Sequence, residues 1–317
     1  MNFLYCFDSN YNLQALNSIN SLLSKSNQKY SIYIIHENPS TVQEKIEKLN
    51  IDNFHNIQIF EYDSRYANFP RVSGTHVSDA TYYRLFLNEY LPSDIDFITY
   101  IDADILCLKN PEEEINRTIR RIQKENSPLA AMTESIDNPD YIGRLDLKQS
   151  KYFNAGVLVI NYNEWKKIND DNKFIKNMNH LAEKILWWDQ DVLNYTFDGK
   201  YTEMSKFLNY KIEPSANIET SEIDDKVFFL HYTGNLKPWS LRGLKIKYSK
   251  YYQESFRELN LDKYHIVSNK STTDIYIFLN ILFLGFNKIE YKFSFIKISI
   301  EAIYFDLVSK LKTHIKK

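Results

Sequence analysis

The sequence of 317 residues has little cysteine, little glycine and almost no net charge. Its two cysteines, Cys6 and Cys107, lie in apolar stretches of strand character, so we expect no disulfide framework and a reduced, cytoplasmic location. Lys and Arg (39) nearly balance Asp and Glu (41), and the formal charge is −2. This balance gives no indication of a nucleic-acid-binding protein.

Long apolar runs are also lacking. The longest, residues 275–286, is shorter than the roughly 18–20 residues that a membrane-spanning helix needs. The opening MNFLYCFDSNYNL has no basic leader followed by a long apolar stretch, so no secretion signal is predicted. Hydrophobic residues nevertheless make up 44% of the chain, with 24 Tyr and 20 Phe, which predicts a folded core. The aromatic excess suits both core packing and contact with sugar rings.

Strand and helix patterns alternate along the first part of the chain. This alternation predicts an α/β fold with a mostly parallel central sheet. Strands are predicted at 2–8, 30–37, 56–63, 96–104, 155–165 and 226–234, and helices at 12–26, 41–50 and 78–92. After about residue 240 the pattern becomes helical and basic-aromatic. Ligands of open α/β sheets bind beyond the carboxyl ends of the strands, where this chain has Asp8, Asn10, Asp102, Asp104 and His231.

Two carboxylates, Asp102 and Asp104, stand one residue apart at the end of the apolar run FITYIDADIL. On an extended segment, side chains at i and i+2 point the same way, so both acids can face one point. The like charges repel unless a cation lies between them, and carboxylate oxygens suit Mg²⁺ or Mn²⁺. The spacing alone fits a strand-to-loop turn with solvated acids equally well.

The late segment HYTGNLKPW, residues 231–239, adds a histidine, a glycine and a lysine. His231 is a good third ligand and favours Mn²⁺ over Mg²⁺. Gly234 permits close approach of the backbone to a diphosphate, and Lys237 supplies a positive charge. A lone histidine at a strand end is more often structural, but its combination with these neighbours favours a binding role.

Several motifs, taken together and in order, resemble glycosyltransferase family 8, the family of glycogenin and of bacterial lipopolysaccharide galactosyl- and glucosyltransferases. They are FDSNY, SDATYYRL, YIDADIL, FNAGVLVIN, WWDQDVLN and HYTGNLKPW, and they cover roughly residues 1–240. The resemblance implies a GT-A fold, the Rossmann-like fold of nucleotide-diphospho-sugar transferases. It also implies a UDP-sugar donor, Mn²⁺ and transfer with retention of the anomeric configuration.

The resemblance also implies roles for individual residues. Asp102, Asp104 and His231 match the metal ligands, with Ala103 between the two acids. Asp8 and Asn10 match residues that hold uracil and ribose, with Phe7 and Tyr11 beside them. The diphosphate and donor-sugar contacts match Gly234, Lys237, Arg84, Asn154, Ala155, Asp189 and Gln190.

Arg84, Asp189, Gln190 and Asp191 are the candidate catalytic residues. Two ordinary explanations remain open for them: Arg84 could pair with Asp79 or Glu89 on a helix surface, and the two acids could cap the following helix. Retention requires either attack from the leaving-group face or two inversions through a nucleophile. Gln190 is a poor nucleophile, whereas Asp189 or Asp191 would serve better. We favour same-face substitution, in which the leaving phosphate helps to deprotonate the acceptor.

Galactose is favoured over glucose as the donor sugar, by analogy only. The acceptor is expected to be a surface oligosaccharide, a lipid-linked glycan or a glycan on a protein. Two alternative functions are less favoured. A phosphatase of the haloacid dehalogenase type also uses D-x-D at a strand end, but it places the pair near the N-terminus and follows it with Thr or Val, whereas Asp104 lies far along the chain and is followed by ILCLKNP. The intact acids and His231 argue against a non-catalytic glycan-binding relative.

A catalytic domain is predicted at residues 1–240 and a helical C-terminal extension at 241–317. The ending FDLVSKLKTHIKK could form a basic amphipathic helix that lies on an anionic membrane surface. A helical cap on the sheet edge or a dimer contact would explain the same pattern. Peripheral contact with the inner face of the membrane is therefore an expectation alongside the cytoplasmic location.

Overall fold

The computed structural model describes residues 1–48, 56–63, 69–70, 78–135, 140–149, 151–212, 220–268, 272–289 and 292–315. The chain divides into two compact units. The first consists of Met1–Tyr210 and Asp225–His231, and the second of Lys211–Asp224 and Tyr232–Lys317. The domain limits predicted above, 1–240 and 241–317, stay a prediction.

A seven-stranded sheet in the order β3-β2-β1-β4-β7-β6-β8 forms the centre of the first unit. Its strands run parallel except β7, which is antiparallel to both of its neighbours. The predicted α/β class with a mostly parallel sheet is therefore confirmed. The strands of the chain are β1 (Asn2–Phe7), β2 (Ser31–His36), β3 (Asn56–Glu61), β4 (Phe97–Ile101), β5 (Ile105–Cys107), β6 (Leu129–Thr133), β7 (Phe153–Asn161), β8 (Thr202–Glu203), β9 (Tyr210–Lys211) and β10 (Phe229–His231).

Helices cover the sheet because its central strands are apolar on both faces. All but the first residue of β1 and of β2 are buried, as expected of strands that are covered on both sides. Among the helices, α4 shows the complementary pattern, with Ile115, Thr118 and Ile122 buried on one face. The helices are α1 (Asn12–Leu23), α2 (Pro39–Lys48), α3 (Leu87–Tyr90), α4 (Glu112–Glu125), α5 (Asp140–Gly143), α6 (Tyr162–Ile168), α7 (Lys173–Leu181), α8 (Trp188–Phe197), α9 (Thr220–Lys226), α10 (Ser249–Glu258), α11 (Thr272–Leu284) and α12 (Lys292–Ile315).

A second, three-stranded sheet has the order β5-β10-β9. β10 runs antiparallel to β5, and His231 lies opposite Ile105. His231 therefore comes from this small sheet and not from the parallel one. The register brings it next to Asp104, the residue before β5.

Several predicted elements differ from the structure. The strand predicted at 96–104 ends at Ile101, and the strand predicted at 226–234 comprises only Phe229–His231. Residues 78–92 do not form one regular α-helix: a 3₁₀ helix, Asp79–Phe86, begins at the capping hydroxyl of Ser78 and passes into the short α3. The strand predicted at 155–165 begins earlier, at Phe153, and ends where Asn161 caps α6. Asn161 ends the strand because its short polar side chain caps the following helix. The end of the helix predicted at 41–50 lies outside the described residues.

The second unit is helical. Its core joins α11 to α12, with Phe278 and Ile281 packed in one cluster with Ile289 and Phe295. Within the described parts of the chain, every helix is too short or too polar to cross a lipid bilayer.

Candidate active site

Asp102 and Asp104 lie in a tight turn between β4 and β5, closed by a hydrogen bond from the amide of Ile105 to the carbonyl of Asp102 (3.2 Å). The extended geometry expected for this pair is therefore wrong, although the two side chains still converge. One ligand atom each from Asp102, Asp104 and His231 lie within 4.8 Å of one another. The sequence predicts that the three side chains meet at the ends of parallel strands. In the structure they meet because of the turn at Asp102–Asp104 and the pairing of β5 with β10.

This donor set fits a divalent cation. Burial raises the pKa of Asp102 above its ordinary value, Arg84 opposes the rise and Asp104 adds to it. Nε2 of His231 lies 3.4 Å from Oδ1 of Asp104. Two carboxylates and an imidazole so close together are a typical ligand set for Mn²⁺ or a related ion.

Arg84 is buried beside Asp102. Its Nε and Nη2 donate to both oxygens of Asp189, the second at 3.1 Å, and its Nη1 donates to the carbonyl of Ala155 at 2.6 Å. Nη1 also lies 3.4 Å from Asp102, and the guanidinium stacks over the ring of Tyr100. The alternative of a helix-surface pair is therefore wrong. Burial raises the pKa of Asp189 to about 6 even with Arg84 beside it.

Asp191, two residues further along α8, accepts four hydrogen bonds. Arg144 and the hydroxyl of Tyr152 donate to Oδ1 at 2.7 and 2.6 Å, and the amides of Leu186 and Trp187 donate to Oδ2 at 2.7 and 2.8 Å. These donors match the number of lone pairs that a carboxylate offers. Asp191 therefore holds the loop before α8 in place. Its amide donors, Leu186 and Trp187, precede the first helical residue, so this role is related to the helix capping considered above. Arg144 and Tyr152 lie outside the motifs recognised in the sequence, so their contacts with Asp191 were not predicted.

Gln190 and Asn154 attach α8 and β7 to each other and to neighbouring strands. Oε1 of Gln190 accepts from the amide of Ala155 at 2.9 Å. Asn154 accepts from the amide of Gly156 at 2.9 Å and donates to Glu134 at 2.8 Å. Both predicted donor-sugar residues are thus held in fixed positions, and each amide has hydrogen-bonding capacity left for a hydroxyl.

The end of β1 carries the predicted nucleotide contacts. Asp8 is buried and accepts from the amides of Asn10 and Tyr11 at 3.0 and 3.2 Å, so it caps the turn after β1. Phe7 is buried and Asn10 is exposed. Burial raises the pKa of Tyr11, and the nearby carboxylate of Asp104 raises it further. Tyr11 therefore lies within electrostatic reach of the metal-ligand candidates.

Gly234 and Lys237 belong to the second unit. Gly234 has a φ of +71°, in the left-handed region that favours glycine. The ammonium group of Lys237 donates to the carbonyl of Tyr232 at 2.6 Å. Their contact with a diphosphate stays a prediction.

The strand ends and turns of the first unit thus bring acids, amides, a buried arginine and a histidine together, an arrangement typical of an enzyme active site. The profile of glycosyl transferase family 8 matches residues 2–243, and the chain belongs to this family. It is a glycosyltransferase, and this excludes the phosphatase alternative.

Two relatives act on lipopolysaccharide. The chain is 28% identical over 249 residues to a lipopolysaccharide 1,2-glucosyltransferase of Escherichia coli, covering 73% of this chain and 71% of the relative. It is 27% identical over 264 residues to a lipopolysaccharide 1,3-galactosyltransferase of Salmonella typhimurium, covering 76% and 74%.

The fold matches the crystal structure of the galactosyltransferase LgtC in complex with donor and acceptor sugar analogues. The TM-score is 0.69 at 20% identity, and the match covers 83% of this chain and 97% of LgtC. The glycosyltransferase GlyE of Streptococcus pneumoniae matches with a TM-score of 0.60 at 19% identity, over 82% and 62%. The expected GT-A fold is confirmed.

Proposed function

We propose that the protein transfers a hexose from a UDP-sugar to a glycan acceptor with retention, and that it requires Mn²⁺, with Mg²⁺ as the alternative. Galactose is the favoured sugar and glucose the second. The observation that carries the proposal is the convergence of Asp102, Asp104 and His231 within 4.8 Å. When bound, the cation offsets the negative charge that develops on the leaving diphosphate.

The residues around this cluster position the donor. The buried pair of Arg84 with Asp189 holds a carboxylate in one orientation, where it can accept hydrogen bonds from sugar hydroxyls. Gln190 and Asn154 offer the amide groups that hydroxyl recognition requires. Asp8 and Tyr11 lie at the end of β1, where a nucleotide binds in open α/β sheets. Gly234 and Lys237 are proposed to contact the diphosphate.

The surroundings of the two acids on α8 support same-face substitution over a covalent intermediate. Asp191 accepts four hydrogen bonds and Asp189 is paired with Arg84, so neither carboxylate is arranged as a free nucleophile. Gln190, the residue between them, is a weak nucleophile. The leaving phosphate then accepts the acceptor proton.

The acceptor is proposed to be a surface oligosaccharide, with lipid-linked and protein-linked glycans as the alternatives. The support is the activity of the two relatives on lipopolysaccharide.

Donor hydrolysis tests the proposal because it needs no acceptor. UDP-galactose and UDP-glucose are incubated with Mn²⁺, with EDTA, and with the variant Asp104→Asn. We expect slow hydrolysis in Mn²⁺, with galactose preferred, and a loss on the order of 100-fold with EDTA or in the variant. The matched control is Asp171→Asn, which changes an exposed acid and should leave the rate unchanged. Hydrolysis that EDTA does not affect would overturn the metal requirement, and binding without hydrolysis would indicate a non-catalytic relative.

We also propose that the second unit binds an anionic membrane surface, which would place the protein at the inner face of the membrane. Residues 286–317 contain seven Lys against three Asp and Glu, an excess that attracts anionic headgroups. Large apolar side chains are exposed at helical spacing on both α11 and α12. They are Tyr276, Leu279 and Phe283 on α11, and Phe293, Ile296, Ile300, Tyr304 and Leu307 on α12.

A further inference from the structure

A buried amide contacts His231 on the side of the ring away from Asp104. Nδ1 of His231 lies 2.8 Å from Oδ1 of Asn209, and Nε2 lies 3.4 Å from Oδ1 of Asp104. Asn209 is completely buried and His231 nearly so. The two ring nitrogens therefore have different neighbours, and the nitrogen that carries the proton determines which one can bind a cation.

A backbone group fixes the orientation of the Asn209 amide. The amide N–H of Gly156 donates to the side chain of Asn154 at 2.9 Å, so that atom of Asn154 is oxygen. Nδ2 of Asn209 donates to the same oxygen at 2.8 Å. Since Nδ2 faces Asn154, Oδ1 of Asn209 faces His231, and an amide oxygen only accepts hydrogen bonds. Nδ1 of His231 therefore carries a proton.

Gly156 holds the other side of the ring. A Cβ at this position would lie 2.3 Å from Cε1 and 2.8 Å from Nδ1 of His231, which are impossible contacts. The imidazole thus lies directly against the backbone of β7, an approach that requires glycine. Gly156 thus sets the position of the ring, and Asn209 sets the hydrogen bond that Nδ1 makes.

We propose that Asn209 is a positioning residue for the metal site: by accepting the Nδ1 proton of His231, it keeps Nε2 as the ligand atom. The inference rests on the proposed function, in which His231 is the third ligand. Histidines that bind metals commonly donate their other N–H to a neighbouring acceptor, and loss of that acceptor typically weakens metal binding by about 10–100-fold.

The first experiment measures the His231 tautomer in the metal-free protein by ¹⁵N NMR of the imidazole, in mildly alkaline buffer. We expect Nδ1–H in the wild type, because the Asn209 oxygen accepts this proton. Asn209→Ala should shift the ring toward Nε2–H, the form that free imidazole side chains prefer in water. Nε2–H in the wild type would overturn the proposal, and this result requires no variant to fold.

The second experiment titrates Mn²⁺ into each protein and follows water-proton relaxation. Asn209→Ala should weaken binding by about 10–100-fold, and Gly156→Ala should also weaken it, because the added methyl displaces the ring. The matched control is Asn169→Ala, which removes another buried amide that bonds Leu85 and Phe174 and should keep wild-type affinity. Thermal unfolding confirms that each variant is folded.

The possible failures are distinguishable. If His231→Ala weakens Mn²⁺ binding but Asn209→Ala does not, the positioning role is wrong and the proposed function stands. If the wild type does not bind Mn²⁺, the metal-dependent function itself is wrong and the positioning role falls with it.

Discussion

At the scale of single residues, the buried charges of the first unit are the most constrained groups. Arg84 is 3% exposed and Asp189 is 1% exposed, and the guanidinium donates to both carboxylate oxygens. Removing one partner of such a pair leaves the other charge buried without compensation, which costs more than the pair itself contributes. We therefore expect the pair to act as one unit in stability and in the proposed recognition of the donor.

We predict that Arg84→Met and Asp189→Leu each lower the free energy of unfolding by about 3–5 kcal/mol, whereas the double variant loses much less than the sum. All three variants should lose transferase activity, because the carboxylate or its orientation is gone. Urea unfolding of the four proteins measures the coupling.

The exposed pair of Asp171 and Lys176 provides the control for this cycle, since its side chains are mostly in solvent and its coupling should be close to zero. Additive losses for Arg84 and Asp189 would contradict the prediction.

At the scale of elements, the sequence predicted those parts of the fold that depend on local pattern. The continuous apolar runs of β1, β2 and β4 indicated buried parallel strands, and the structure has them. Residues that act through distant partners gave no such signal. Asn209 contacts His231 across 22 positions, and Arg144 contacts Asp191 across 47, so no spacing or motif relates them. The convergence of His231 with Asp104 was expected at the edge of the parallel sheet. It depends instead on the antiparallel pairing of β5 with β10, and no sequence pattern indicated that these two strands pair.

Helix α10 packs around a buried histidine in the second unit. Nδ1 of His265 lies 2.7 Å from the hydroxyl of Tyr252, its ring lies against Trp239 and Phe256, and its backbone amide donates to Gln253. Burial lowers the pKa of His265 from 6.5 to about 4. This packing therefore requires the neutral ring.

We predict that this site makes stability depend on pH. Between the lowered pKa and the ordinary one the unfolded chain binds more protons, so stability is complete above about pH 6.5 and falls as the pH decreases toward 4. The loss attributable to His265 should be at most about 3 kcal/mol. The free energy of unfolding is measured by urea at pH 7 and about pH 4.5 for the wild type and for His265→Gln. Both proteins contain the same carboxylates, so the difference between their pH dependences reports the contribution of His265. An equal pH dependence of both proteins would show that the histidine is not the cause.

At the scale of the whole molecule, a near-neutral chain carries a basic, apolar C-terminal region. Phe283 is 79% exposed and Phe293 is 87% exposed, on two helices whose opposite faces form the core of the second unit. Side chains of this size are seldom so exposed unless a lipid or protein surface covers them.

We predict that the 317-residue chain floats with vesicles containing phosphatidylglycerol but not with purely zwitterionic ones. Phe283→Asp and Phe293→Asp should each reduce flotation several-fold, because a buried charge opposes insertion of the apolar face. Val267→Asp, an exposed apolar residue of the same unit outside these helices, is the control. Flotation that none of the substitutions changes would contradict the proposal. A concentration-dependent dimer that Phe293→Asp dissociates would assign the surface to a second copy of the chain.

The row of hydrogen bonds from Gly156 through Asn154 and Asn209 to His231 restricts how this centre could be redesigned. The peptide N–H of Gly156 makes the facing atom of Asn154 an acceptor, and this fixes the orientation of the Asn209 amide, which in turn fixes the proton of His231. Only a proline at position 156 would remove that N–H. If His231 were replaced by aspartate, a carboxylate oxygen would face Oδ1 of Asn209, and neither atom could donate a hydrogen bond to the other. Rotating the amide of Asn209 would only transfer the conflict to Asn154. Changing the ion preference of the proposed metal site would therefore require substituting Asn154, Asn209 and His231 together.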